Sequence, residues 1–198
     1  MTLTALQSLS LVTAATVWPV TTDEVNEQLR IDSSDDAQLI NRLIAAATSY
    51  VDGLGVLGGA MVSQTWRQVV QNPGSKVDLR MHPVQSLSAV KYYDTSGAPQ
   101  TDTVENYQLI GGDNWAYVEP KTGNAWPTAY DRPDAIQIEF VAGYGAAATD
   151  VPDGIRHALM MLIAHWYEHR EAADRMNISN LPIGFNDLLN AERRAWYG

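Results

Sequence analysis

The chain has 198 residues, of which 45% are apolar and 18% charged, and its formal net charge is −10. That length suits one compact domain or a domain carrying a sizeable insertion. The absence of cysteine excludes disulfides, thiolate chemistry and Cys-based zinc sites, and the acidic balance argues against gripping nucleic acid by its phosphates, which takes clustered Lys and Arg.

The opening stretch, MTLTALQSLSLVTAATVWPV, is mildly apolar and uncharged. It lacks the basic start of a secretory leader and is broken by Ser, Thr and Gln, so residues 1–18 are expected to be an extended arm. No run reaches the ~20 apolar residues of a membrane span. Thr21, followed by Asp23 and Glu24, caps a short helix that stops near Arg30-Ile31. A second helix starts in Ser33-Ser34-Asp35-Asp36. Leu39, Ile40, Leu43, Ile44, Ala47 and Val51 keep helical spacing along it, and the glycine run at 53–59 ends it.

The middle changes character. VSQTWRQVVQN, KVDLRMH, SLSAVKYYD, ENYQLI, WAYVEP and AIQIEFVAG are short, rich in β-branched and aromatic residues, and separated by turn formers such as Asn72-Pro73-Gly74 and Thr95-Ser96-Gly97. They predict an antiparallel β-region of about five or six strands. In the last, Ile136, Ile138 and Phe140 share one face while Gln137 and Glu139 share the other. Long loops are expected around residues 95–102 and 111–114.

Helix returns after Val151-Pro152-Asp153 and is expected to run to about Arg175, with Ile155, Leu159, Leu162, Ile163 and Trp166 as its apolar stripe. A polar link and a last short helix follow. The fold class is therefore α+β: N- and C-terminal helices form a small bundle, and an antiparallel β-domain is inserted between them. The boundaries are an arm over 1–18, a helical part over 19–59, a β-domain over 60–147 and C-terminal helices with a tail over 148–198.

One pattern invites a chemical reading. His165-Trp-Tyr-Glu168-His169 matches the H-x-x-E-H spelling of a class of zinc peptidases. Residues i and i+4 share a helix face, so both imidazoles could reach one metal, with Glu168 as base. A catalytic zinc needs a third protein ligand. Only 29 residues follow His169; Glu171 is nearly adjacent and Glu192 lies in a short terminal helix. Both histidines also flank an apolar stripe, where half-buried histidine is ordinary. A zinc-dependent hydrolase is the alternative reading, and the expectation is no catalytic residue, no metal and no cofactor.

There is no G-x-S-x-G elbow and no phosphate loop; GLGVLGG reads as a helix stop and joint. Trp115, Tyr117, Trp126, Tyr130 and Tyr144 could stack sugars. Their spread over several loops and strands favours core and subunit contacts.

Taken in order, PVTTDEVNEQLRIDSSDDAQLINRLIAAATSYVDG, QTWRQ, HPVQSLSAVKYYDTSGAPQT, FVAGYGAAATDVPDGIRHALMMLIAHWYEHREA and LPIGFNDLLNAER resemble the head–tail connector (adaptor) proteins of tailed phages and of gene transfer agents. The resemblance covers roughly residues 19–194. It implies a non-enzymatic subunit of a ring, commonly dodecameric, beneath the portal protein of a phage or phage-like particle. Such a ring extends the DNA channel without binding DNA specifically and offers a platform to the next neck, stopper or tail component. It implies a place in the neck of a virion made in a bacterial cytoplasm, away from membranes. It also implies docking to the portal through the C-terminal segment, with Leu188, Leu189, Arg193, Arg194, Trp196 and Tyr197 as candidates. Aromatic and Arg anchors are the types that dominate interfaces.

Overall fold

In the computed structural model, which describes residues 8–31, 36–169 and 181–192, helix α1 (Thr22–Leu29) starts on the Thr21 cap. The Thr21 side chain accepts from the Glu24 amide while the Glu24 carboxylate accepts from the Thr21 amide, a complete capping box. The helix stops at Arg30, whose φ of 55° is left-handed. Helix α2 (Ala37–Val51) buries Ile40, Ile44, Ala47 and Val51, as its spacing predicts. Helix α3 (Asp153–Glu168) buries Ile155, Leu159, Leu162 and Ile163, and α4 (Phe185–Glu192) buries Phe185 and Leu189. These side chains, with Val25 of α1, form one apolar core. Arg156 of α3 donates to the Pro19 carbonyl at 3.1 Å and pairs with Glu24, tying α3 to the start of α1. The described part of α3 ends at Glu168; the expected continuation to Arg175 lies outside the described residues.

The β-region has eight described strands: β1 (Ser8–Thr13), β2 (Gln64–Val70), β3 (Val77–Asp78), β4 (Val84–Tyr93), β5 (Pro99–Asp102), β6 (Tyr107–Gly111), β7 (Ala116–Pro120) and β8 (Ile136–Ala142). They make a five-stranded sheet, β1-β2-β8-β4-β5, and a three-stranded sheet, β3-β7-β6, antiparallel throughout. In the central strand β8, Ile136, Ile138 and Phe140 are buried and stand opposite Val70, Gln68 and Trp66 of β2.

Two strands exceed the sequence expectation. Ser8–Thr13 of the expected arm pair with β2 in this same chain. Pro99–Asp102, expected as loop, pair with β4. The latter hairpin turns on Asp94, whose carboxylate accepts from Ser96, Ala98 and Gln100. Those bonds, the Ser96 and Gln100 side chains first, hold its pKa down at about 2.

The chain divides into two compact units. The β unit holds residues 8–14 and 63–143, and the helical unit holds the described residues of 15–62 and 144–192. The crossings fall after residues 14, 62 and 143, where the sequence boundaries were set after 18, 59 and 147.

Candidate functional site

The H-x-x-E-H run sits at the C-terminal end of α3. The His165 and His169 rings are 4.4 Å apart between centroids, and His169 Nδ1 lies 2.8 Å from the His165 carbonyl oxygen. Helical spacing thus brings the two imidazoles together as expected. Among the described residues no third His, Asp or Glu joins them in a metal-binding group. Glu171 lies outside the described residues.

The C-terminal candidates divide. Leu189 is buried in the helical core and Leu188 is packed against it, so both seat α4 on the bundle. Arg193, Arg194, Trp196 and Tyr197 lie outside the described residues. Just before α4, Ile183 is 98% exposed.

The β unit contains a constellation that sequence reasoning missed. Glu139 of β8 is 9% exposed and lies between Arg67 of β2 and Lys91 of β4. Arg67 donates to one carboxylate oxygen from Nε at 2.9 Å and from Nη2 at 2.6 Å. The Lys91 ammonium reaches both oxygens, at 2.8 and 2.9 Å. Burial would raise the Glu139 carboxyl, but Lys91 and Arg67 together hold it below its ordinary range. The triad stitches three adjacent strands across one sheet face. No spacing rule reveals it, because the partners stand 72 and 48 residues apart.

The aromatics do not form one platform. Trp126 packs on buried Tyr107 with centroids 5.0 Å apart, and the Tyr107 hydroxyl donates to Asp102. Burial first, then Asp102, pushes that phenol upward. Tyr144 packs against the helical core. Tyr130 is exposed, and its amide donates to the Tyr93 carbonyl at 2.8 Å. Trp115, 59% exposed, stacks on Tyr117 at 5.9 Å and 17°. Lys76 sits over the Tyr117 ring at 4.4 Å. Gly111, at φ 90°, permits this arrangement: a Cβ there would strike both the carbonyl and the ring of Trp115. The Trp115–Tyr117 pair is therefore held in place by the backbone, with the Trp115 ring facing solvent.

Residues 20–179 match the family of head completion proteins. The chain belongs to the head completion protein family. No curated protein matches the sequence. Among solved structures, this head completion protein is similar to a chain in the neck of an empty gene transfer agent particle computed with C6 symmetry. The two share 22% identity and a TM-score of 0.77, covering 96% of this chain and 98% of that one. It is similar to a chain in the virion of a native gene transfer agent particle, at 22% identity, TM-score 0.70, and the same 96% and 98% coverage. It is also similar to one in the neck of a native particle computed with C12 symmetry, at 20% identity and TM-score 0.69, again covering 96% and 98%. At these identities the likenesses show a shared fold over nearly the whole chain. No described helix is long and apolar enough to cross a membrane.

Proposed function

We propose that this protein is a structural subunit of an oligomeric ring in the neck of a phage or phage-like particle. The ring sits beneath the portal protein, extends the DNA channel and offers a platform to the next neck or tail component. The observation that carries the reading is the family match over residues 20–179, supported by a fold shared from end to end with chains of gene transfer agent necks. The role is structural, not catalytic. A net charge of −10 suits a channel through which DNA slides, since fixed basic patches would hold it.

Docking to the portal falls to the segment beyond α4. Leu188 and Leu189 anchor that helix to the bundle, and Arg193, Arg194, Trp196 and Tyr197 supply the contacts. Native mass spectrometry of the full chain mixed with the portal protein of the same particle tests the reading. The expected species is a discrete complex with equal numbers of the two subunits. Two free proteins at every concentration tried would overturn it. Truncation before Ala191 is expected to abolish the complex and leave the fold intact, so unchanged binding by the shortened chain would remove the tail from the docking role.

A further inference from the structure

Strand β1 is an open edge of an unusual kind. It closes one side of the five-stranded sheet and, among the described residues, pairs only with β2. Five of its six residues are exposed. Open edges attract other strands, and proteins usually blunt them with charge, proline or brevity. The other edges here follow that practice. β3 is two residues long, with its Asp78 paired to Lys76; β5 begins with Pro99 and ends with Asp102; β6, with neither charge nor proline, is instead mostly half-buried. β1 has none of these devices beyond a bulge at Val12, which leaves Ser8–Leu11 in regular register with β2. The first charged residue of the chain is Asp23.

The neighbourhood in sequence is equally unguarded. Leu11 and Val12, both on β1, are 47% and 42% exposed, two of the nine exposed large apolar side chains among the described residues. Scattered apolar residues are normal on a surface; two in succession on an open edge strand are not.

We propose that the free edge of β1 is an intersubunit contact, occupied by an extended segment of a second copy of this chain. Charge selects the occupant. Two copies each carry −10 and repel over most of their surfaces. The uncharged tract before Asp23 is where they approach at least electrostatic cost. A basic partner would gain nothing from a neutral edge and would be drawn to the acidic surface elsewhere. Backbone pairing supplies the affinity, as in strand addition generally, and the exposed leucine and valine side chains fix the register. The contact is heterologous if it closes a ring, so the segment added is not β1 itself. This inference rests on the ring reading above.

The chain has no cysteine, so Val12→Cys introduces a unique attachment point for a benzophenone maleimide. Ordinary and heavy-isotope copies of the full-length variant are mixed, assembled on the portal protein, irradiated and mapped by mass spectrometry. Crosslinks joining an ordinary to a heavy copy are expected. Complexes that form yet give crosslinks only within one copy, or only to the portal, would overturn the inference and leave the ring standing. Failure of the unmodified chain to form any complex with the portal protein would overturn both. In parallel, Leu11→Lys places a charge on the edge; it is expected to raise the concentration needed for assembly by about tenfold or more, with the circular dichroism spectrum unchanged. A folded Leu11→Lys protein that assembles at the original concentration would sink the proposal, and if that variant does not fold the crosslink decides alone.

Discussion

In the helical unit the described core is apolar almost throughout, and Thr48 is its one buried polar residue. The β unit buries Gln64, Gln68, His82 and Glu139. The polar residues there do work that helices do not require. A helix satisfies its own backbone, so its packing face needs only shape and apolarity. Two separate sheets leave segments near each other that share no ladder. Gln68 bridges such a gap: its amide nitrogen donates to the Asp78 carbonyl at 2.8 Å and its oxygen accepts from the Arg80 amide at 2.9 Å. Glu139 does the equivalent with charge, holding β2 and β4 to β8. The helical unit should therefore respond to volume, and the β unit to protonation and charge.

The sharpest test of the first half is Phe185→Ala. Phe185 is fully buried and fixes α4 to the bundle. The expected loss is about 3–5 kcal/mol by urea unfolding, the usual cost of emptying a core aromatic site. A loss under about 1 kcal/mol would mean that α4 packs independently of the core. The second half is tested by Glu139→Gln, which leaves two cations facing each other over a neutral amide. Arg67 and Lys91 are 34% and 40% exposed, so solvent screens them and the expected loss is about 1–2 kcal/mol, below that of a fully buried pair. The sign of the pH effect follows from the depressed carboxyl. Its contribution is present above the ordinary value of 4.5 and is lost as pH falls through the lower folded-state value. Unfolding measured from neutral to acid pH should show a shallower acid limb in Glu139→Gln than in the parent. Parallel limbs would place the acid sensitivity elsewhere.

The same contrast explains what could be read in advance. Ile40, Ile44, Leu159 and Leu162 announce their burial by local spacing, and the Thr21–Glu24 box lies within four residues of chain. The inward face of β8 is legible too, because alternation is local. The Arg67–Glu139–Lys91 triad is not, since three strands distant in sequence must first find their register. β1 and β5 escaped for a related reason: Ser-Leu-Ser-Leu-Val-Thr and Pro-Gln-Thr-Asp have weak patterns and are strands only because β2 and β4 offer them an edge. His165 and His169 were placed side by side by spacing alone, whereas a third ligand would have needed tertiary knowledge.

Local devices within the helical unit should cost less than its core. Thr21→Ala removes the acceptor for the Glu24 amide but leaves Glu24 free to keep its pairing with Arg156. About 1 kcal/mol is expected by thermal or urea unfolding. A loss as large as that of Phe185→Ala would mean that the cap and the Arg156 contact form one cooperative network.

The smallest effect discriminates most finely. Ile183 is apolar, belongs to the helical unit and is 98% exposed, so it contributes nothing to the core that stabilises that unit. Its side chain meets water in the folded and unfolded chain alike, and burial free energy scales with area removed from water. Ile183→Ser should therefore change stability of the isolated chain by no more than about 0.5 kcal/mol in either direction. A loss above about 1 kcal/mol would require another part of the chain to cover Ile183 in solution, and the helical unit would then extend past its described core. A neutral result in the free chain, combined with weaker assembly on the portal protein, would instead assign this exposed apolar tooth to a partner surface. The comparison would then gain a third term: residues that neither unit uses for itself.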